Sequence, residues 1–485
     1  LTIADVSLLS LLPAIILVVV GVAIMVADPF LERGRRAGLA RAGVGGVIAA
    51  GAAVGPMAGA RGTWYGGIWL VDDYTLFFHA LLLLVAGLTL LVSSEYVRRE
   101  QLPPSEFVVL VLFATAGALL MSGAGELMLI FIGIEILSMG TYVLAGYRRE
   151  DLRSNESALK YFLLGSFASA FFLYGVALVF GATGSTNLEG IRESIQSGAA
   201  SGGLVSIAVA LMLTGLFFKV ALVPFHVWAP DVYEGAPTPV TGFMSVGPKA
   251  AGFAVLIRIL FSAFPGLQDR WIWVIWVVAA ATMLLGNTVA LVQPGIKRML
   301  AYSSIAHAGY AAVALASGSR PGITAALFYL LAYSAASLGT FTIVAAISRR
   351  GDLKVDLADY RGLASRRPAL AAMLSLFLLS LAGIPATAGF AGKFFIFRAA
   401  VESGLTGLAI IGVLTTVVSF YYYLYVIVEM YMREGADSFE DVEIRPGTRA
   451  AILVAAALTL YLGILPGRVL DWAAASAAGA FALLS

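Results

Sequence analysis

Three lysines and one glutamate stand where a membrane would exclude them. Lys219 and Lys249 lie in apolar runs of TGLFFKVALVPFHVWAPDVYEGAPTPVTGFMSVGPKAAGF, residues 214–253. Lys393 lies in LAGIPATAGFAGKFFIF, and Glu135 is central to ELMLIFIGIEILSMGTYVLAG. A charge near a bilayer centre costs about 2.5 to 3.5 kcal/mol on the insertion scale, so a membrane helix keeps one only where it faces protein or water. Amines and a carboxylate can each take up and release a proton, and their place in apolar segments marks a proton or ion path.

Weaker candidates surround these four. Glu156 and Lys160 are spaced i,i+4, which suits either a helix-supporting ion pair or a role in the path. His226 falls in the proline-rich part of the first stretch, and His307 is flanked by Tyr302, Ser303, Ser304 and Tyr310. Glu429 closes the tyrosine-rich run SFYYYLYVIVEMYMRE; Glu95 and Asp5 sit at span edges and read as structural, as does His79 in DDYTLFFHALLLL. Arg258 and Arg398 fall near the expected ends of spans, where long side chains can snorkel to the headgroups.

The positioning elements must be helices, some of them interrupted. Pro224, Pro248 and Pro385 are the expected breaks, each beside a lysine. Backbone freed by a break has to line a polar cavity, because lipid cannot satisfy it.

The composition agrees: 60% of the 485 residues are hydrophobic and 12% charged, against roughly 25% charged in soluble domains. An all-α polytopic membrane protein is expected, with the bilayer as its surroundings. A net charge of +2 gives no reason to expect nucleic acid as a partner. The absence of cysteine excludes disulfides and cysteine-held iron–sulfur clusters, and the three histidines show no metal-ligand spacing, so neither a metal nor a cofactor is expected in this chain.

Apolar runs of about 20 residues mark about fourteen spans, the first over 8 to 27 and the broken late one over 369 to 401. The first lacks a basic stretch ahead of it and a small-residue cleavage site after it, so it reads as a retained span. The stretch from Asp471 to Ser485 reads as an interfacial tail or a continuation of the last helix. Lys and Arg alternate between loops: twenty fall in one set, among them Arg33, Arg35, Arg36, Arg349 and Lys354, and five in the other, Arg61, Arg192, Arg270, Arg320 and Arg468. The positive-inside rule then puts both termini on the non-cytoplasmic side. Two interrupted spans, each with a lysine at its break and five spans apart, are the pattern of inverted repeats with ion sites at mid-membrane.

The motifs KVALVPFHVWAPDVYEGAPTPV, GPKAAGF, NESALKYFLLGSFASA, AYSSIAHAGY and LAGIPATAGFAGKF closely resemble those of subunit N (chain 2) of bacterial proton-pumping NADH:quinone oxidoreductase, respiratory complex I, in the antiporter-like subunit family. The resemblance covers nearly the whole chain. It implies fourteen helices with two inverted five-helix repeats, divided here as 1–106, 107–264, 265–432 and 433–485. It also implies a translocase function without redox chemistry in this chain, Glu135, Lys219, Lys249 and Lys393 carrying protons and His226 and His307 linking them. NADH, FMN, iron–sulfur clusters and quinone would belong to partner subunits, and the neighbours would be other antiporter-like and small membrane subunits in the bacterial plasma (inner) membrane. A subunit of a cation/proton antiporter or membrane-bound hydrogenase is the alternative, since these share the ancestry.

Overall fold

A computed structural model describes residues 8–32, 37–348, 350–353, 355–435, 439 and 444–481. Asp5, Arg33, Arg35, Arg36, Arg349 and Lys354 lie outside the described residues. The chain opens with α1 (Leu12–Ala27) and α2 (Ala37–Met57), then a small hairpin of β1 (Gly62–Trp64) and β2 (Trp69–Val71), then α3 (Asp73–Arg99). Next come α4 (Pro104–Gly123), α5 (Leu127–Ala145), α6 (Leu152–Thr183), the short α7 (Leu188–Gln196), α8 (Gly202–Val220), α9 (Trp228–Gly235) and α10 (Thr238–Arg258). The second half holds α11 (Gln268–Ala290), α12 (Ile296–Ala316), α13 (Arg320–Ile347), α14 (Pro368–Ala382), α15 (Ala388–Glu402) and α16 (Thr406–Met432). Last come α17 (Pro446–Ile464) and α18 (Gly467–Phe481).

Helices dominate because lipid leaves each backbone N–H and C=O no partner outside its own segment. Their starts are set locally. Pro104, Pro368 and Pro446 occupy first-turn positions, where the missing N–H costs nothing. Asp72, Asp151 and Ser319 cap α3, α6 and α13 by accepting backbone N–H groups at 2.7, 2.9 and 3.3 Å.

Among the described residues thirteen helices are long and apolar enough to cross a membrane. The pair α14 and α15, each 15 residues, is too short to cross singly and makes a fourteenth crossing as one broken helix. After α1 to α3 the order repeats. One series runs α4, α5, α6, broken α8/α9 and α10; the next runs α11, α12, α13, broken α14/α15 and α16. Five crossings are an odd number, so the second series starts from the opposite side and is inverted.

Every residue of α10 is buried, and α12 and α13 nearly so. The outer helices instead expose Val19, Ile48, Leu163, Phe167, Val277 and Leu414, an apolar exterior that only a bilayer or other membrane helices can cover. The most deeply buried layer is therefore α10, α12 and α13, which holds Lys249 and His307.

Three expectations are corrected. Pro248 does not break its helix: α10 runs through it, because the Met244 carbonyl that proline leaves without a donor accepts the Tyr233 hydroxyl at 3.1 Å. Arg258 does not snorkel. It is buried against Asp72 (2.5 and 3.0 Å) and Thr75 (3.0 Å), with its guanidinium 4.5 Å from the Tyr74 ring centre. The described part of the C-terminal stretch does not continue the last helix: after Pro466 the chain forms the separate α18, which packs on α3 and α13 with Ala473, Ala477 and Ala480 buried.

Candidate functional site

Two helix interruptions position the lysines. The first begins at Ala221, whose left-handed conformation (φ 60°) ends α8 two residues after Lys219. Pro224 lies in the non-helical segment that follows. The freed groups there find protein partners: the Trp228 indole donates to the Phe218 carbonyl at 2.9 Å, and the Val223 N–H donates to Thr282 at 3.0 Å. The second interruption runs from Gly383 (φ 94°) through Pro385 and Ala386 (φ 68°). Here Lys393 itself donates to the Leu381 and Ala382 carbonyls, both at 3.0 Å. A cation at the negative end of α14 is favourably placed.

Lys219 donates to the Ser138 hydroxyl at 2.7 Å, with its ammonium 5.9 Å from the Tyr161 ring centre. Ser138 stands three residues beyond Glu135, on the same face of α5. Glu135 is half-buried, and its Oε1 is buried with no hydrogen-bond partner. The structure thus brings Glu135 and Lys219 to one site without an ion pair within 4.0 Å. Gly252 on α10 faces the end of α8: a Cβ there would meet Val220 at 2.6 Å and the Lys219 side chain at 3.7 Å. Lys249 is one turn away from Gly252, so close approach of these two backbones sets the distance between the two lysines.

Lys249 donates to both the carbonyl and the hydroxyl of Ser304, at 2.7 and 2.6 Å. The Ser304 hydroxyl also accepts from Tyr333 at 2.8 Å, and the Tyr333 ring lies 4.8 Å from that of His307. A narrow cavity separates Lys249 from His307, Tyr329 and Tyr333. His307 bridges two phenols, with Nδ1 at 2.5 Å from Tyr329 and Nε2 at 3.0 Å from Tyr423, and Tyr423 bonds Ser303 in turn. Tyr310 follows, its ring centre 5.8 Å from that of His307 and 4.7 Å from the Lys393 ammonium. A neutral imidazole donates from one nitrogen and accepts at the other, so this geometry is able to pass a proton between the two phenols by exchange of tautomers.

The remaining candidates lie elsewhere. Lys160 pairs with Glu156 and with Asp231, both at 2.7 Å, and Asp231 also pairs with Arg298 at 2.8 Å, tying α6 to α9 and α12 at the surface. Glu429 accepts from Arg361 at 2.6 Å at the end of α16. His226 is half-buried in the first interruption with its Nδ1 unpartnered, and among the described residues no hydrogen bond joins it to Lys249 or His307. No group of three or more His, Asp or Glu residues could hold a metal among the described residues.

Sequence reading missed Ser138, Tyr329, Tyr333 and Tyr423, which are ordinary helix residues until their partners are known. It also missed Asp352, a buried loop carboxylate that accepts from Tyr96 at 3.0 Å, Ser348 at 3.1 Å and Lys297 at 3.4 Å, with Arg148 at 3.7 Å. Burial raises its pKa, but Lys297 and Arg148 outweigh burial and hold the carboxyl below its ordinary value. Lys297 also donates to the Ala236 carbonyl at 2.6 Å, so this cluster joins α3, the α5–α6 loop, the α9–α10 junction and α12.

A family model described as NADH:quinone oxidoreductase/Mrp antiporter, TM, matches residues 124–419, the span that holds Glu135, Lys219, Lys249, His307 and Lys393. NADH-quinone oxidoreductase subunit N of Trichlorobacter lovleyi is 44% identical over 96% of both chains. A chain of respiratory complex I from Thermus thermophilus superimposes with a TM-score of 0.82 at 39% identity, over 95% of this chain and 99% of that one. A chain of the Mrp complex from Dietzia sp. gives 0.83 at 25% identity, over 98% and 97%. Identity at this level over nearly the whole of both chains, on a fold with two five-helix series and lysines at each interruption, places the chain in the NADH-quinone oxidoreductase subunit N family.

Proposed function

We propose that this chain is a proton-translocating membrane subunit of an NADH:quinone oxidoreductase, respiratory complex I. Electron transfer from NADH to quinone takes place in partner subunits, which carry the FMN and iron–sulfur clusters. The observation that carries the reading is the buried run from Lys249 and Ser304 through Tyr333 and His307 to Tyr423, Tyr310 and Lys393. Glu135 stabilises protonated Lys219; moving the two apart releases the proton toward Lys249, and His307 passes it on toward Lys393. Lys160 with Glu156, and Glu429 with Arg361, hold helix ends in place, while His226 faces the first interruption as a side branch.

Energetics limit what one pair can do. At an effective dielectric of about 20, charges about 7 Å apart attract by roughly 2.4 kcal/mol. A membrane potential of about 150 mV opposes an outgoing proton by roughly 3.5 kcal/mol. Hydration at the α8 break or the next charged site must therefore supply the difference.

We place residues 107–264 and 265–432 as the two antiporter-like repeats, the chain in the bacterial plasma membrane among neighbouring antiporter-like and small subunits, and both termini on the non-cytoplasmic side. A cysteine at exposed Arg320 should react with an impermeant reagent only from that side; reaction only from the cytoplasm contradicts the orientation. The test of function is reconstitution of the assembled complex in sealed vesicles, where NADH with quinone should drive acidification on one side. A second reading, a cation/proton antiporter subunit, is favoured by the likeness to the Mrp complex chain. Proton exchange driven by a sodium gradient without NADH would select it instead.

A further inference from the structure

A groove of about 1250 Å³ opens between α2, α3, the α3–α4 connection and the start of α17. It exceeds the roughly 300–1,000 Å³ of pockets for drug-sized ligands. Its lining changes character along the helix axes. Arg41, Arg98 and Arg445 stand at the mouth with Gln101, and Val44, Ile48, Leu90 and Leu91 form the walls farther in. From Arg41 to Ile48 the helix rises about 10 Å, so basic groups cap an apolar trough that runs inward from one end of the bundle.

Arg41 and Arg98 line the groove and differ from several arginines at the same end that are held in ion pairs. Arg99, Arg148, Arg149, Arg298 and Arg361 each have a carboxylate within 4.0 Å. Arg41 and Arg98 are exposed and have none among the described residues. Gly45 leaves the trough open, since a Cβ there would meet nothing within 4 Å.

We infer that this groove binds an anionic glycerophospholipid, its phosphate against Arg41 and Arg98 and its acyl chains along α2 and α3. Guanidinium groups bind phosphate through paired, charge-assisted hydrogen bonds, and basic pockets between membrane helices suit anionic headgroups. An apolar partner helix fits worse, because it would strip water from two guanidiniums without supplying counter-charge.

The test uses the assembled complex in bilayers containing equal amounts of photoactivatable phosphatidylglycerol and phosphatidylcholine, with labelled peptides of α2 and α3 read by mass spectrometry. Phosphatidylglycerol should label these peptides in clear excess. Arg41→Gln with Arg98→Gln should weaken its binding about 30-fold while leaving phosphatidylcholine labelling unchanged. Gly45→Leu, which keeps both charges and fills the trough, should lower labelling by both lipids, and serves if the double variant fails to assemble. Equal labelling by the two lipids, an unaltered preference in the double variant, or crosslinks from the trough to a partner subunit in place of lipid would each overturn the inference.

Discussion

Lys249 is held at Ser304 by two hydrogen bonds, 2.7 Å to the carbonyl and 2.6 Å to the hydroxyl, near the middle of a wholly buried helix. An ammonium in that position can fix a neighbour by its charge, or it can pass a proton on. Arginine separates the two roles, because a guanidinium keeps its proton in proteins. Lys249→Arg should abolish proton pumping as thoroughly as Lys249→Ala, and Lys393→Arg likewise. Pumping at the wild-type rate with arginine at either position would make that lysine a fixed charge.

His307 stands between the hydroxyls of Tyr329 and Tyr423. Tyr423→Phe removes the Nε2 partner and the link to Ser303 while keeping the ring that fills the core. Proton pumping in vesicles should fall by at least about tenfold, in line with the contribution of positioned proton donors. Tyr302→Phe is the control: Tyr302 flanks the same motif but is only half-buried, and its loss should leave the rate within about twofold.

The lysines and Glu135 were legible because a charge in an apolar run is costly, so its presence alone signals a site. Both interruptions were legible too, since glycine and proline cluster there. Pro248 misled because proline shows where a backbone bond is lost, and the hydroxyl of Tyr233 that compensates lies 15 residues earlier. Arg258 misled for the same reason at longer range, as its partner Asp72 precedes it by 186 residues. Serines and tyrosines of the path carry no cost in a membrane helix, so nothing in the sequence separates them from packing residues.

Asp352 offers a test at the bundle end. With its pKa held below the ordinary value by Lys297 and Arg148, it contributes stability above the unfolded-state pKa of about 4 and loses it as pH falls through the lower folded value. The wild-type complex should lose thermal stability in detergent as pH drops below about 4. Asp352→Asn leaves Lys297 buried without its counter-charge, while Arg148 keeps Asp151 at 2.6 Å, and should cost about 3–5 kcal/mol at neutral pH while flattening the acid limb. An unchanged melting temperature at pH 7 would show that the cluster does not hold the helices together.

Gly252 governs the approach of α8 to α10. A leucine there meets Val220 and the Lys219 side chain, so Gly252→Leu should push the two lysines apart and lower pumping severalfold with NADH oxidation less affected. Equal loss of both activities would point to failed assembly, and equal retention of both would remove this contact from the path.

Glu135 and Lys219 share one site across a gap wider than an ion pair, with Ser138 holding the lysine at 2.7 Å. Glu135→Gln keeps size and polarity and removes the charge. The decisive measurement is the number of protons pumped per NADH oxidised by the assembled Glu135→Gln enzyme in sealed vesicles. A severe fall in that ratio, with the subunit still present in the complex, is the predicted result; the wild-type ratio would contradict the account.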